Sequence, residues 1–168
     1  MKKATIILFA AIVSVSTAFG QSKTIENFHQ KYEDDRDAKV VTLSGGLFEL
    51  LSNIASWDES DEEAQAISRI ADNIKSMQIL SIPMYKSGFD ASDIEKMRED
   101  LRKESYEELM TARDGSDKVY FLTQGDNDTV KNMLVLIQEK EDFAVMNING
   151  SLEMKDLSYL VKHHKDWK

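Results

Sequence analysis

Three histidines, His29, His163 and His164, are the side chains best placed by chemistry to move a proton or hold a metal near neutral pH. A hydrolytic nucleophile needs such a base within hydrogen-bond reach of a serine or threonine. No Gly-x-Ser-x-Gly elbow is present to offer that serine. The chain has no cysteine, which removes a thiolate nucleophile, a disulfide framework, a thiolate zinc site and a lipid-modified cysteine together. His163 and His164 adjoin in a segment of helical periodicity, where successive side chains point about 100° apart. Metal-binding helices place their histidines at i, i+4 instead. His164 is expected to flank the core, and His163 to sit in a basic last turn that suits the helix dipole.

Carboxylates are the other candidates, 30 of them against 21 basic residues. That abundance singles out no acid–base pair. The run Asp58-Glu59-Ser60-Asp61-Glu62-Glu63 lacks the glycine and the spaced oxygens of a calcium loop. It reads as a helix start, with Ser60 and Glu63 as a capping box and the charges favoured by the dipole. Asp126-Asn127-Asp128 reads as a hairpin turn. Glu99–Lys103 and Lys103–Glu107 read as i, i+4 helix pairs. Gly45-Gly46 lacks the Lys and Ser/Thr of a phosphate loop and marks a strand-to-helix corner. No spacing implies a catalytic residue, a cofactor or a metal. The formal charge of -9 weighs against a nucleic-acid partner, whose affinity comes from Lys and Arg.

The first twenty residues read as a secretory signal. Lys2 and Lys3 precede a stretch, 4–13, in which only Thr5 is polar, and Ala18-Phe19-Gly20 supplies small residues before Gln21. The apolar run to Val15 rises only about 18 Å as a helix, against a hydrocarbon core of about 30 Å, so it is too short for a permanent span. Cleavage is expected between Gly20 and Gln21. Without a cysteine the product carries no lipid anchor. It is expected to be a periplasmic or secreted single domain, 21–168, whose charge becomes -11 once the two signal lysines leave.

Ile25, Phe28 and Tyr32 recur at helical spacing and open that domain. Residues 39–44 (KVVTLS) are rich in β-branched types and read as a strand. Leu47, Leu50, Leu51 and Ile54 then mark a helix face, and Ala64, Ile67, Ile70, Ala71 and Ile74 mark another. A second strand, 77–82, ends at Pro83, which cannot donate to a ladder. Ser92 and Glu95 form a capping box for the longest helix, expected to run to about Ala112 and to end at Arg113-Asp114-Gly115-Ser116. Residues 118–123, 130–138 and 143–149 alternate with short polar turns and read as a β-meander. The continuously apolar 133–137 suits its central strand. Asn149-Gly150-Ser151 leads to a last helix with Leu157, Leu160, Val161 and His164 on one face. The fold class is therefore α+β: a mixed five-stranded sheet ending in an antiparallel meander, with helices mostly on one face.

These residues also carry a resemblance. The exported N-terminus, Phe28-x-x-x-Tyr32, Val40-Val41-Thr42-Leu43-Ser44 leading into Leu47-Phe48-Glu49-Leu50-Leu51, Ile148-Asn149-Gly150-Ser151 and Asp156-Leu157-Ser158-Tyr159-Leu160 resemble the bacterial envelope domain-of-unknown-function family 4252. The resemblance implies a small protein of Gram-negative envelopes with no assigned activity. Some members are associated with genes for extracytoplasmic-function sigma factors, which points toward envelope signalling. Members that carry a lipoprotein cysteine are tethered, and this chain departs from them. In that setting Asp128-Thr129-Val130 matches an envelope O-glycosylation pattern, short enough to arise by chance. The expected function is a non-catalytic envelope binding or interaction protein. The alternative is a carboxylate-based periplasmic hydrolase. Membrane association through the long helix is disfavoured by its Glu95, Glu99, Asp100, Glu104 and Glu107.

Overall fold

The computed structural model describes residues 22–55, 62–126 and 128–163. The expected signal peptide with its expected Gly20–Gln21 cleavage point, His164 and most of the acidic run 58–63 lie outside the described residues. The elements follow in the order α1 (Lys23–Tyr32), β1 (Lys39–Ser44), α2 (Gly45–Ala55), α3 (Glu62–Asp72), β2 (Ile74–Pro83) and α4 (Met84–Ser87). Then come α5 (Ala91–Lys103), β3 (Glu107–Asp114), β4 (Asp117–Gly125), β5 (Thr129–Gln138), β6 (Asp142–Glu153) and α6 (Met154–His163).

The strands form one six-stranded sheet in the order β1-β2-β6-β5-β4-β3, with every neighbouring pair antiparallel. The α+β class stands, but the sheet is neither five-stranded nor mixed. The connection through α2 and α3 returns β2 beside β1 in the opposite sense. The connection through α4 and α5 carries the chain to the far edge. β6 then comes back to fill the gap between β2 and β5, so no parallel pair arises.

The sixth strand is the second half of the expected long helix. α5 stops at Lys103, where Ser105 adopts φ 67° in the left-handed region. The Ser105 N–H donates to the Arg102 carbonyl at 3.1 Å, and the Tyr106 N–H donates to the Leu101 carbonyl at 3.0 Å. This is a Schellman cap built without glycine, so it left no stop signal in the sequence. Residues 107–114 are mostly helix formers taken into β3 by pairing with β4, and Gly115 and Ser116 make the hairpin turn rather than a helix end. At the other end of α5 the capping box is formed by Asp90 and Asp93, not Ser92 and Glu95. The Asp90 carboxylate accepts from the Ser92 and Asp93 N–H groups, and Asp93 accepts from the Asp90 N–H.

Helices lie on both faces of the sheet rather than mostly on one. On the inner face, Ile25, Phe28 and Tyr32 of α1 and Ile94, Met97 and Leu101 of α5 pack on Leu80, Ile82, Leu122, Leu134, Leu136, Phe143 and Val145. Phe28, Tyr32, Phe89 and Phe143 meet ring to ring there, the last two stacked with centroids 4.8 Å apart. On the outer face, Phe48 of α2, Ile70 of α3 and Met154 and Leu157 of α6 cover Leu43, Met77, Met133 and Ile148. Period-two alternation through β5 supplies both cores, Leu134 and Leu136 inward and Met133 and Val135 outward. β6 runs on through Gly150 to Glu153, where a Cβ at position 150 would collide with the Asn73 carbonyl oxygen.

Candidate functional site

The sheet presents two surfaces able to recognise another molecule, one polar and one apolar. The polar one is a cleft of about 150 Å³ along α1, bordered by Glu26, His29, Gln30 and Glu33 and floored by Gln78 and Asn147. Gln78 and Asn147 stand opposite one another in the β2–β6 register. His29 is 9% exposed, and among the described residues its Nε2 has no hydrogen-bond partner. Burial holds its imidazole pKa below the ordinary value, against the upward pull of Glu33. The ring is therefore neutral at pH 7, with one nitrogen free.

Further polar residues continue this floor along the sheet, but they are occupied with one another. Asn149 donates to the Ser76 hydroxyl at 3.2 Å, Asn132 donates to Gln124 at 2.7 Å, and Gln124 donates to the Glu104 carbonyl at 2.8 Å. The Glu104 carboxylate accepts from the Thr24 N–H at 3.0 Å and from its hydroxyl at 2.8 Å, tying the start of α1 to the end of α5. The bonds from Asn132 through Gln124 and Glu104 to Thr24 fasten α1 and α5 to the sheet, while Asn149 and Ser76 link β6 to β2. Its sequence signal is a polar residue at every second position of otherwise apolar strands, as in Ser76 and Gln78 or Asn147 and Asn149.

The apolar surface comes from α2. Its stripe of Leu47, Leu50, Leu51 and Ile54 is not its buried face: these side chains are between 40% and 56% exposed. Among the described side chains of α2 only Phe48 reaches the outer core, and Ser52 turns toward α3, where its hydroxyl lies 3.0 Å from that of Ser68. α2 touches β1, β2 and α3, so it is the outermost helix of its layer, at the β1 edge. Val40 and Val41 of β1 are also exposed. Val41 ends a row of apolar residues, one from each strand, that crosses the outer face through Ile79, Met146, Val135, Phe121 and Met110.

The remaining chemistry-bearing residues do not converge. A wide depression of about 750 Å³ beside α4 holds Asp90, Lys140 and Glu141, but the Asp90 carboxylate is engaged in capping α5. The Ser92 hydroxyl and backbone hold its pKa low. Asp100 is held low by Lys103, the partner that replaces the expected Glu99–Lys103 pair. Glu108 is also held low: burial opposes this, but bonds from Thr111 and Arg98 outweigh it. A general acid needs a raised carboxylate pKa, and every resolved carboxylate shift among the described residues runs the other way. Tyr106 is pushed up to about 12 by burial. Among the described residues no three His, Asp or Glu side chains gather as metal ligands. Asp126 pairs with Lys131 at 3.2 Å in the turn before β5, and Thr129 is half-buried at the first position of that strand, opposite Glu153.

The fold and these surfaces define an α+β protein with a single antiparallel sheet sandwiched between helix layers and an uncovered apolar edge. The chain belongs to the family described as Domain of unknown function (DUF4252), which matches residues 32–160. That stretch runs from the last residue of α1 into α6, so it takes in the whole sheet and the α2 surface. No curated protein matches the chain, and neither does any solved structure. No described helix is long and apolar enough to cross a membrane.

Proposed function

We propose that this chain is an exported, non-catalytic interaction protein of the bacterial envelope, periplasmic or secreted, that works by protein–protein contact through the α2–β1 surface. The observation that carries the reading is the outward-facing stripe of Leu47, Leu50, Leu51 and Ile54 beside exposed Val41, which lies on the same face of the sheet. Single exposed apolar residues are ordinary, but a contiguous patch of this kind marks a contact surface. The export half rests on the signal-like residues before Gln21, and the signalling connection rests on the family resemblance alone. A carboxylate hydrolase finds no support in carboxylates whose resolved shifts are all downward.

A photo-crosslinking amino acid at Leu50, compared with one at exposed Glu99 on α5, tests the contact in growing cells. Adducts are expected at Leu50 and not at Glu99. Adducts at neither position, or equally at both, refute the contact surface. N-terminal sequencing of the exported protein is expected to begin at Gln21, and a start at Met1 removes export.

A further inference from the structure

We propose that the occupant of the α2–β1 surface is a second copy of this chain, joined edge to edge through β1 in an antiparallel pair about a two-fold axis. This inference deepens the interaction reading and rests on it.

The two edges of the sheet differ in kind. β3 carries a bulge between Glu108 and Met110, and its residues include Glu107, Glu108, Arg113 and Asp114, with Arg98 and Arg102 bonded to Glu108 beside them. Bulges and charges are the devices that keep an edge strand from pairing. β1 has neither. All six of its residues pair with β2 without a register shift, Lys39 at its start is its one charge, and it has no proline. The chain as a whole is strongly acidic, so two copies repel, yet the eleven residues of α2 hold a single charge, Glu49. This edge is where like-charged copies can approach.

The geometry is self-complementary. A two-fold axis normal to the sheet keeps inner face with inner face, which requires residues opposite each other across the axis to share a side of the pleat. An axis through Val41 meets this condition, placing Val41 opposite itself and Val40 opposite Thr42. The outer apolar row, which stops at Val41, then runs unbroken into its copy. The same axis puts both α2 helices on one side of the joined sheet. With strands about 4.8 Å apart, a helix seated over β1 and β2 lies about 5 Å from the axis, so the two α2 helices lie about 10 Å apart. Helices pack at about 8–10 Å. Leu47, Leu50, Leu51 and Ile54 are the side chains available to fill that seam. A six-residue strand pairing is short of the ~1,600 Å² typical of a stable interface, and the helix seam adds the apolar area it lacks.

The chain has no cysteine, so any disulfide formed by a single introduced one is intermolecular. Mild oxidation of purified Val41→Cys is expected to give a covalent dimer. Ala112→Cys, exposed on the opposite edge, is expected to stay monomeric. Sedimentation of the unmodified protein is expected to show a dimer, and Leu50→Asp with Leu51→Asp to weaken it at least 100-fold with an unchanged circular dichroism spectrum. A monomer at all concentrations, or equal cross-linking at Val41→Cys and Ala112→Cys, overturns the proposal. Liposome flotation of a monomer through the same leucines overturns it in favour of a lipid surface. A monomer whose Leu50 cross-links to a different protein in cells removes the second copy but leaves the interaction reading intact. A monomer with no Leu50 adduct removes both.

Discussion

Replacing Arg98 by Met is expected to lower stability by about 2 kcal/mol at pH 7, a sum worked from three contacts. The guanidinium lies 4.0 Å from the Tyr120 ring centroid and bonds Glu108 Oε2 from Nη2 at 2.7 Å and from Nε at 3.3 Å. It also bonds both oxygens of Glu95 at 2.8 and 2.7 Å. Glu95 is largely exposed, so its share is only about 0.5 kcal/mol. The Glu108 bonds are charge-assisted and partly buried, worth about 2 kcal/mol, and the ring contact adds about 1 kcal/mol. Relief of the guanidinium's own desolvation returns about 1–1.5 kcal/mol, and the methionine retains the apolar stem.

The difference depends on pH. The folded pKa of Glu108 is held below its unfolded value of about 4.3. Its contribution is therefore complete above that pH and is lost as pH falls through the folded pKa. Urea unfolding of wild type and Arg98→Met at pH 7 and pH 3 measures both effects. The melting temperature is expected to fall by about 6 °C at pH 7. In a double-mutant cycle, Glu108→Gln should cost about 1–1.5 kcal/mol less in the Arg98→Met background than in the wild type. A destabilisation below about 0.5 kcal/mol at pH 7, or one of equal size at both pH values, would falsify this account of how α5 is fixed to β3 and β4.

Three further outcomes are expected. Ser105→Gly relieves the left-handed strain at the α5 cap and should raise stability by about 0.5–1 kcal/mol in the same unfolding assay. Gly150→Ala drives a Cβ against the Asn73 carbonyl and should cost about 2 kcal/mol, and a neutral result contradicts the close approach of β6 to the start of β2. His29 is held neutral by burial, so its folded pKa is below the unfolded value of about 6.5. Stability is thus fully present above pH ~6.5 and falls as pH drops toward the folded pKa, and His29→Gln should flatten that part of the stability–pH curve.

Where a residue's role depends on its near neighbours in the chain, the sequence made it legible. Ile25, Phe28 and Tyr32 are buried on one face of α1, 39–44 is a strand ending at a glycine corner, and Pro83 ends β2. The candidate surfaces were less legible. His29 stood out by type, but the cleft it shares with Gln78 and Asn147 arises from residues far apart in sequence. Leu47, Leu50, Leu51 and Ile54 were visible as a stripe, yet periodicity says only that apolar residues share a side, not what that side faces.

The sequence by itself determined the α+β class and the absence of any cysteine chemistry, because composition and short-range periodicity are local properties, and its motifs carried the resemblance that the family match over residues 32–160 bears out. Tertiary structure alone decided that 107–114 is an edge strand, that every pairing is antiparallel and that helices cover both faces. It also decided that α2 turns its leucines outward. Each of these depends on which distant segment supplies the partner: β4 takes helix-forming residues into β3, and Phe48 and Ser52, held by the outer core and by Ser68, fix the rotation of α2.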